Sequence, residues 1–189
     1  MRVLVACEFS GVVRDAFLAQ GHEALSVDLL PSERPGPHLI GDATLALLEP
    51  WDLVIAHPPC TYLCNSGSRW MKDNPERQGK AREAAAFFLK CLRANSPRVC
   101  VENPIMHHWG RETIRMHDQI IQPWMFGHHE VKRSCLWLKG LPELKPTKVV
   151  YGTQAKSWLA PDSKDRWKNR SRTLTGVAEA MADQWGEYL

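Results

Sequence analysis

Two short stretches carry residue types that do chemistry. "HPPC" puts Cys60 directly after two prolines, and "VENP" puts Glu102 and Asn103 directly before one. Two prolines fix the backbone and cannot continue a strand ladder, so Cys60 is expected on a rigid turn at a strand end. A thiol held there is a nucleophile if its thiolate is favoured or its attack is assisted. Glu102, one residue beyond an apolar run, suits an acid or a hydrogen-bond partner. Each has a plainer reading: an inert loop cysteine, and a solvated strand terminus. The histidines His107, His108, His117, His128 and His129 lack a compact ligand pattern, and no metal is expected from them.

The elements that must hold these residues are short apolar runs alternating with helical stretches. "RVLVAC", "EALSVDL", "PHLIGD", "WDLVIA", "RVCVEN" and "SCLWLKG" read as strands. Helices are expected near Val12 to Gln20, ending at Gly21, from Pro75 to Arg93 with a first-turn proline, and from Arg172 to Tyr188. This alternation predicts an α/β fold, with a mostly parallel central sheet and helices on both faces. In such a sheet, ligands sit beyond the carboxyl ends of the strands. That rule gathers Glu8 to Gly11, Asp28, Asp42, His57 to Cys60, and Glu102 with Asn103 at one rim.

The chain has 189 residues, enough for one domain with a full core. Its start runs straight into "VLVAC", a strand rather than a leader, and no apolar run reaches membrane-span length, so no membrane contact is expected. Six cysteines without a Cys-x-x-Cys pair suit a reducing cytoplasm. The net charge is +3, yet Lys145 to Arg172 alone carries +6. A basic segment on an otherwise acidic chain suits a phosphate-bearing partner; the plainer alternative is a solvated loop. Pro142, Pro146 and Pro161 mark residues 141 to 168 as irregular.

Taken in order, these motifs resemble the DNA cytosine-5 methyltransferases, and within them a short, phage-type group. The resemblance covers most of the chain: "ACEFSGVVRDAFLAQGHEALSVD", "GDAT", "PPCTYLCNSG", "VENP", "FGHHEVKRSCLWLKG" and "LTGVAEAMADQW" are similar to successive family motifs. It implies a Rossmann-like methyltransferase fold and S-adenosylmethionine as cofactor. Phe9, Ser10, Gly11 and Pro58 would lie on the cofactor side, with Asp28 at the ribose and Asp42 near the adenine amino group. It implies Cys60 as the nucleophile at carbon 6 of cytosine. Glu102 would hold N3 and the exocyclic amine, and Arg133 the carbonyl at ring position 2. Pro59, Asn103, Arg170 and Arg172 fall on the substrate side, Asn103 also bracing the turn.

The chain departs from the family pattern in three places. Val13 stands where the opening loop usually has a second glycine. Cys135 stands at the second arginine of an Arg-x-Arg pair, for which Lys132 or Arg170 are substitutes. Residues 141 to 170 replace a target-recognition domain. A flipped-out base normally needs a second wall of protein. The shortened segment therefore implies a separate recognition subunit, a homo-oligomer, or a single-stranded or free cytosine nucleotide substrate. Trp158, Trp167 and Tyr151 in that segment are either stacking surfaces or packing anchors. The resemblance places the protein in a cytoplasm, the host's if it is phage-encoded. "HPPC" also resembles the Asp/Asn-Pro-Pro-Tyr/Phe loop of amino-group methyltransferases, but His57 and Cys60 replace both chemical residues. A nucleic-acid-binding relative without turnover is the alternative from a different class.

Overall fold

The computed structural model describes residues 1–151, 154–155 and 162–188; Trp158 and Pro161 lie outside them. Seven strands form one sheet: β1 (Arg2–Ala6), β2 (Glu23–Asp28), β3 (His38–Ile40), β4 (Leu53–Ala56), β5 (Val99–Asn103), β6 (Gln119–Ile121) and β7 (Ser134–Lys139). Their order is β3-β2-β1-β4-β5-β7-β6. The first five are parallel, whereas β7 inserts antiparallel between β5 and β6. Strand β6 is only three residues long, and neither it nor the reversal of β7 is visible in the apolar pattern.

The central strands are central because they are apolar on both faces. Every residue of β4, "LVIA", is fully buried, as are Val3 to Ala6 of β1. One face packs against α1 (Val12–Ala19) and the closing helix, and the other against the long helix α3 (Pro75–Leu92). Between them come a one-turn helix α2 (Ala43–Ala46) and a short α4 (His108–Thr113). Pro75 sits at the start of α3, where its missing N–H costs nothing, and Asn74 Oδ1 caps the helix by accepting from Arg77 N at 2.9 Å. Toward the C-terminus, α5 (Arg166–Ser171) precedes the closing helix α6 (Thr175–Gly186). Residues 141–148 lie along this body: Trp185 Nε1 donates to Pro142 O at 3.0 Å, and Phe126 bridges to Lys148.

The chain leaves β1 outward to β2 and β3, then crosses back to β4 on the other side of β1. The order therefore reverses between β1 and β4, and it is beyond the carboxyl ends at such a reversal that open α/β sheets bind ligands. The polar residues expected at one rim all end or follow strands that finish on this side.

Candidate functional site

The loop after β1 turns sharply. Cys7 adopts a left-handed backbone (φ 59°), a rare conformation for a side-chain-bearing residue, and Gly11 (φ 71°) opens α1. A Cβ at Gly11 would be strained by the positive φ and would lie 2.6 Å from the buried Arg14 guanidinium, so the position favours glycine. Glu8 is folded back into the protein: its carboxylate accepts from Val13 N at 2.7 Å, Arg14 N at 3.2 Å and the Ser10 hydroxyl at 3.1 Å. The exposed N–H groups of α1 are thus satisfied internally, by an acid favourably placed on the helix dipole. Ser10 is buried with its hydroxyl turned to Glu8, away from the crevice. Val13, the departure from the expected glycine, points into the core with Phe17.

Beside this loop, Asp28 ends β2 and Asp42 follows β3. Both charges help to raise the Cys7 thiol, after burial and Cys91, which places them around the end of β1. Asp28 Oδ1 accepts from Leu30 N at 2.9 Å. Asp42 caps α2 through Thr44, whose N–H and hydroxyl both donate to Oδ1 and hold the carboxyl below its usual range.

Strand β4 stops at Ala56, and the Pro58-Pro59 pair turns the chain as expected. Asn103, at the end of β5, donates Nδ2 to Pro58 O at 2.8 Å. That bond ties the "VENP" end to the "PPC" turn; Asn103 is 1% exposed, and its Oδ1 is buried without a partner. Pro58 is buried and Pro59 exposed. Cys60 opens a tight turn in which Leu63 N and Cys64 N both donate to its carbonyl, at 3.0 and 2.9 Å. This brings its thiol onto that of Cys64, a neighbour the sequence reading did not single out, although four residues is one helical turn. The interaction of the two thiols pushes Cys60 up and Cys64 down. Burial and the charges of Cys64 and Glu102 also raise Cys60; Ser66 Oγ, 2.9 Å from Cys64 Sγ, and the N–H groups of Ser66 and Gly67 favour the Cys64 thiolate. The free Cys60 is therefore the weaker acid of the two.

Glu102 faces the α6 side of the sheet. Its Oε2 lies 3.4 Å from His57 Nδ1. Burial works to raise its carboxyl, but the hydrogen bond and charge of His57, the charge of Lys132 and the Ser134 hydroxyl outweigh that and hold it below the usual carboxylate range. His57 Nε2 is buried without a partner. Pairing of β5 with β7 sets Glu102 opposite Leu136, so Ser134 and Lys132 share its face by alternation. Arg133 falls on the other parity and is exposed; its charge is felt by Cys135. Lys132 thus stands where Arg133 was expected. The crevice at Glu102 is small, about 30 Å³, because Ser171 to Leu174 lie across it. Ligand pockets run to ~300–1,000 Å³.

The end of the basic segment, residues 166 to 172, forms a strap over this rim. Arg172 makes two 2.6 Å bonds to Glu33 and Lys168 pairs with the same carboxylate, so Arg172 is engaged within the protein rather than free for a substrate. Lys168 and Arg172 also lie over the ring of Phe9, and Trp167 packs 6.4 Å from it, leaving Phe9 6% exposed beneath α5. Arg170 is exposed while its carbonyl accepts from Lys132 Nζ at 2.7 Å. Tyr151 stands in solvent, 85% exposed. Among the histidines, His107 caps α4 and His128 Nε2 accepts from Gly176 N at 2.9 Å, both local structural roles.

No protein-family model matches the chain, and no curated protein matches it. Solved structures do. One is an Escherichia coli prophage-encoded protein assigned as a DNA modification methyltransferase, with TM-score 0.51 and 13% identity over 86% of this chain and 56% of that one. Another is a methyltransferase of Entamoeba histolytica, with TM-score 0.47 and 14% identity over 79% of this chain and 57% of that one. The chain spans little more than half the length of each. The likeness is one of fold: a mixed α/β architecture on a seven-stranded sheet, shared with a methyltransferase structure. Among the described residues, no helix is long and apolar enough to cross a membrane.

Proposed function

We propose that this chain methylates carbon 5 of cytosine in DNA. The observation that carries the reading is the Asn103–Pro58 bond, which locks the Cys60 turn to the Glu102 end of the neighbouring strand, beside the reversal between β1 and β4. Cys60, its thiol proton passing to solvent, adds to carbon 6 of the ring and makes carbon 5 nucleophilic. Once carbon 5 carries the methyl group, loss of its proton to water expels the Cys60 thiolate from carbon 6 and restores the ring. Glu102 accepts from the exocyclic amine; to hold N3 as well, its carboxyl must take a proton, and His57 is the group placed to hand it over. S-adenosylmethionine, when bound, supplies the methyl group. Asp28 and Asp42 each keep one carboxylate oxygen clear of the local bonds named above, in positions suited to the ribose hydroxyls and the adenine amine. The cofactor side also includes Gly11 and Pro58, and the strap from Arg166 to Leu174 must shift for a base to reach Glu102.

The test is transfer of labelled methyl to duplex DNA, single-stranded DNA and deoxycytidine monophosphate, with Cys60→Ser in parallel. Label on DNA, abolished in a Cys60→Ser protein that melts like the parent, is the expected result. Label on the nucleotide alone would redirect the substrate to free nucleotides. Cofactor binding without label anywhere would favour the binding protein without turnover, for which the closed crevice and the raised Cys60 are the supporting observations.

A further inference from the structure

A second cleft, of about 380 Å³, opens on the other side of the Cys60 turn, lined by Tyr62, Trp70, Asn74, Glu76, Arg77 and Lys80. The cofactor and cytosine positions described above use none of these residues. The cleft is built onto the turn itself. Arg77 Nη2 donates to Thr61 O at 3.0 Å, and its guanidinium lies 5.0 Å from the Tyr62 ring centre and 5.8 Å from that of Trp70. Gly67 makes room for it: a Cβ there would sit 2.7 Å from Arg77 Nη2 and 3.2 Å from Thr61 O. Trp70 nevertheless remains half exposed, with Arg69 folded over it at 4.0 Å.

Tyr62 and the half-exposed Trp70 beside Arg69 and Arg77, with Lys80 paired to the lining Glu76 at 2.7 Å, fit one ligand chemistry, a flat nucleobase with its phosphate on the two arginines. Arg69 is itself exposed, so it can leave the Trp70 face to a base and turn to a phosphate. Stacking on an aromatic ring needs an open base face, which a duplex covers with the neighbouring pairs. We propose that this cleft seats a base of single-stranded DNA next to the cytosine offered to Cys60, stacked on Trp70 and Tyr62, with its phosphate on Arg69 and Arg77. This rests on the nucleic-acid reading of the Cys60 site and narrows it to an unpaired strand.

The experiment is fluorescence anisotropy of a short labelled oligodeoxynucleotide, single-stranded or annealed, at low salt and without cofactor. It uses the Cys60→Ser protein, so binding is read apart from methyl transfer. The expected result is tighter binding of the single strand, a loss of about ten-fold in Trp70→Ala, and retention of most affinity in Trp70→Phe. Trp70 lies outside the core, so melting of each variant should match the parent. Unchanged binding in Trp70→Ala, or a duplex bound as tightly as the single strand, overturns the proposal. If labelled methyl reaches no substrate while Trp70-dependent binding persists, the methyl-transfer reading alone falls.

Discussion

A thiol four residues from another on a tight turn does not lose its proton independently. In this pair, Cys64 has the Ser66 hydroxyl and two backbone N–H groups to favour its thiolate, while Cys60 has burial and two negative neighbours against it. The first proton to leave belongs to Cys64, and Cys60 is deprotonated only at the cost of a second charge. Burial raises Cys7, Cys91, Cys100 and Cys135, so a low thiolate step is assignable to the pair. Thiolate absorbance in the ultraviolet should therefore show one step below the value near 8.5 of a free cysteine. Cys64→Ala should remove it, and Cys60→Ala should move it upward, because the thiol that donates to Cys64 is gone. A low step that survives Cys64→Ala would sink the assignment. The sign for stability follows: Cys64 is depressed in the fold, so its contribution is full above the ordinary thiol value and is lost as pH falls through the folded one.

At the scale of elements, the strap is held chiefly by Glu33. The Arg172 hydrogen bond, ahead of Lys168, keeps that carboxyl below its usual range. Its contribution is present above the ordinary carboxyl value near 4.3 and fades as acid protonates Glu33. Both partners are partly exposed, so the pair is worth no more than about 1 kcal/mol. Glu33→Gln should raise tryptic cleavage at Lys168 and Arg170 by up to about five-fold, leaving the main melting transition in place; unchanged cleavage would mean that the strap is held elsewhere. The strap also marks where the sequence stops being readable. Strands β1, β4 and β5 are legible because buried parallel strands are apolar throughout. Helix α5, "RWKNRS", buries no side chain and leaves no periodic trace. The turn at Cys60 follows from its prolines, but the face on which Glu102 meets Lys132 rather than Arg133 follows from the β5–β7 register. That register depends on a strand reversal which local sequence does not encode. The Cys60–Cys64 pair has the right spacing, but its meaning emerges only with the turn that closes it.

Over the whole molecule, charge is layered. Asp28 and Asp42 lie around the end of β1, and residues 166–172 are drawn across this rim by Glu33 and Phe9. On the proposed reading, a cofactor carrying a cationic sulfonium and a ribose would be drawn to these acids, and the strap would cover the side where a base enters. Cofactor binding can then precede strap opening, and it is measurable without any nucleic acid. A ligand at a hundred times its dissociation constant stabilises by about 2.7 kcal/mol. For a chain of this size that corresponds to a rise of roughly 5–10 °C in melting temperature. Asp28 makes a local bond to Leu30 N, so Asp28→Ala should leave the ligand-free melt nearly unchanged and abolish most of the rise with S-adenosylmethionine. An equal rise in Asp28→Ala would move the ribose elsewhere on the rim. No rise in the parent protein would remove the cofactor from the crevice altogether, while leaving the Trp70 cleft to be judged by its own binding.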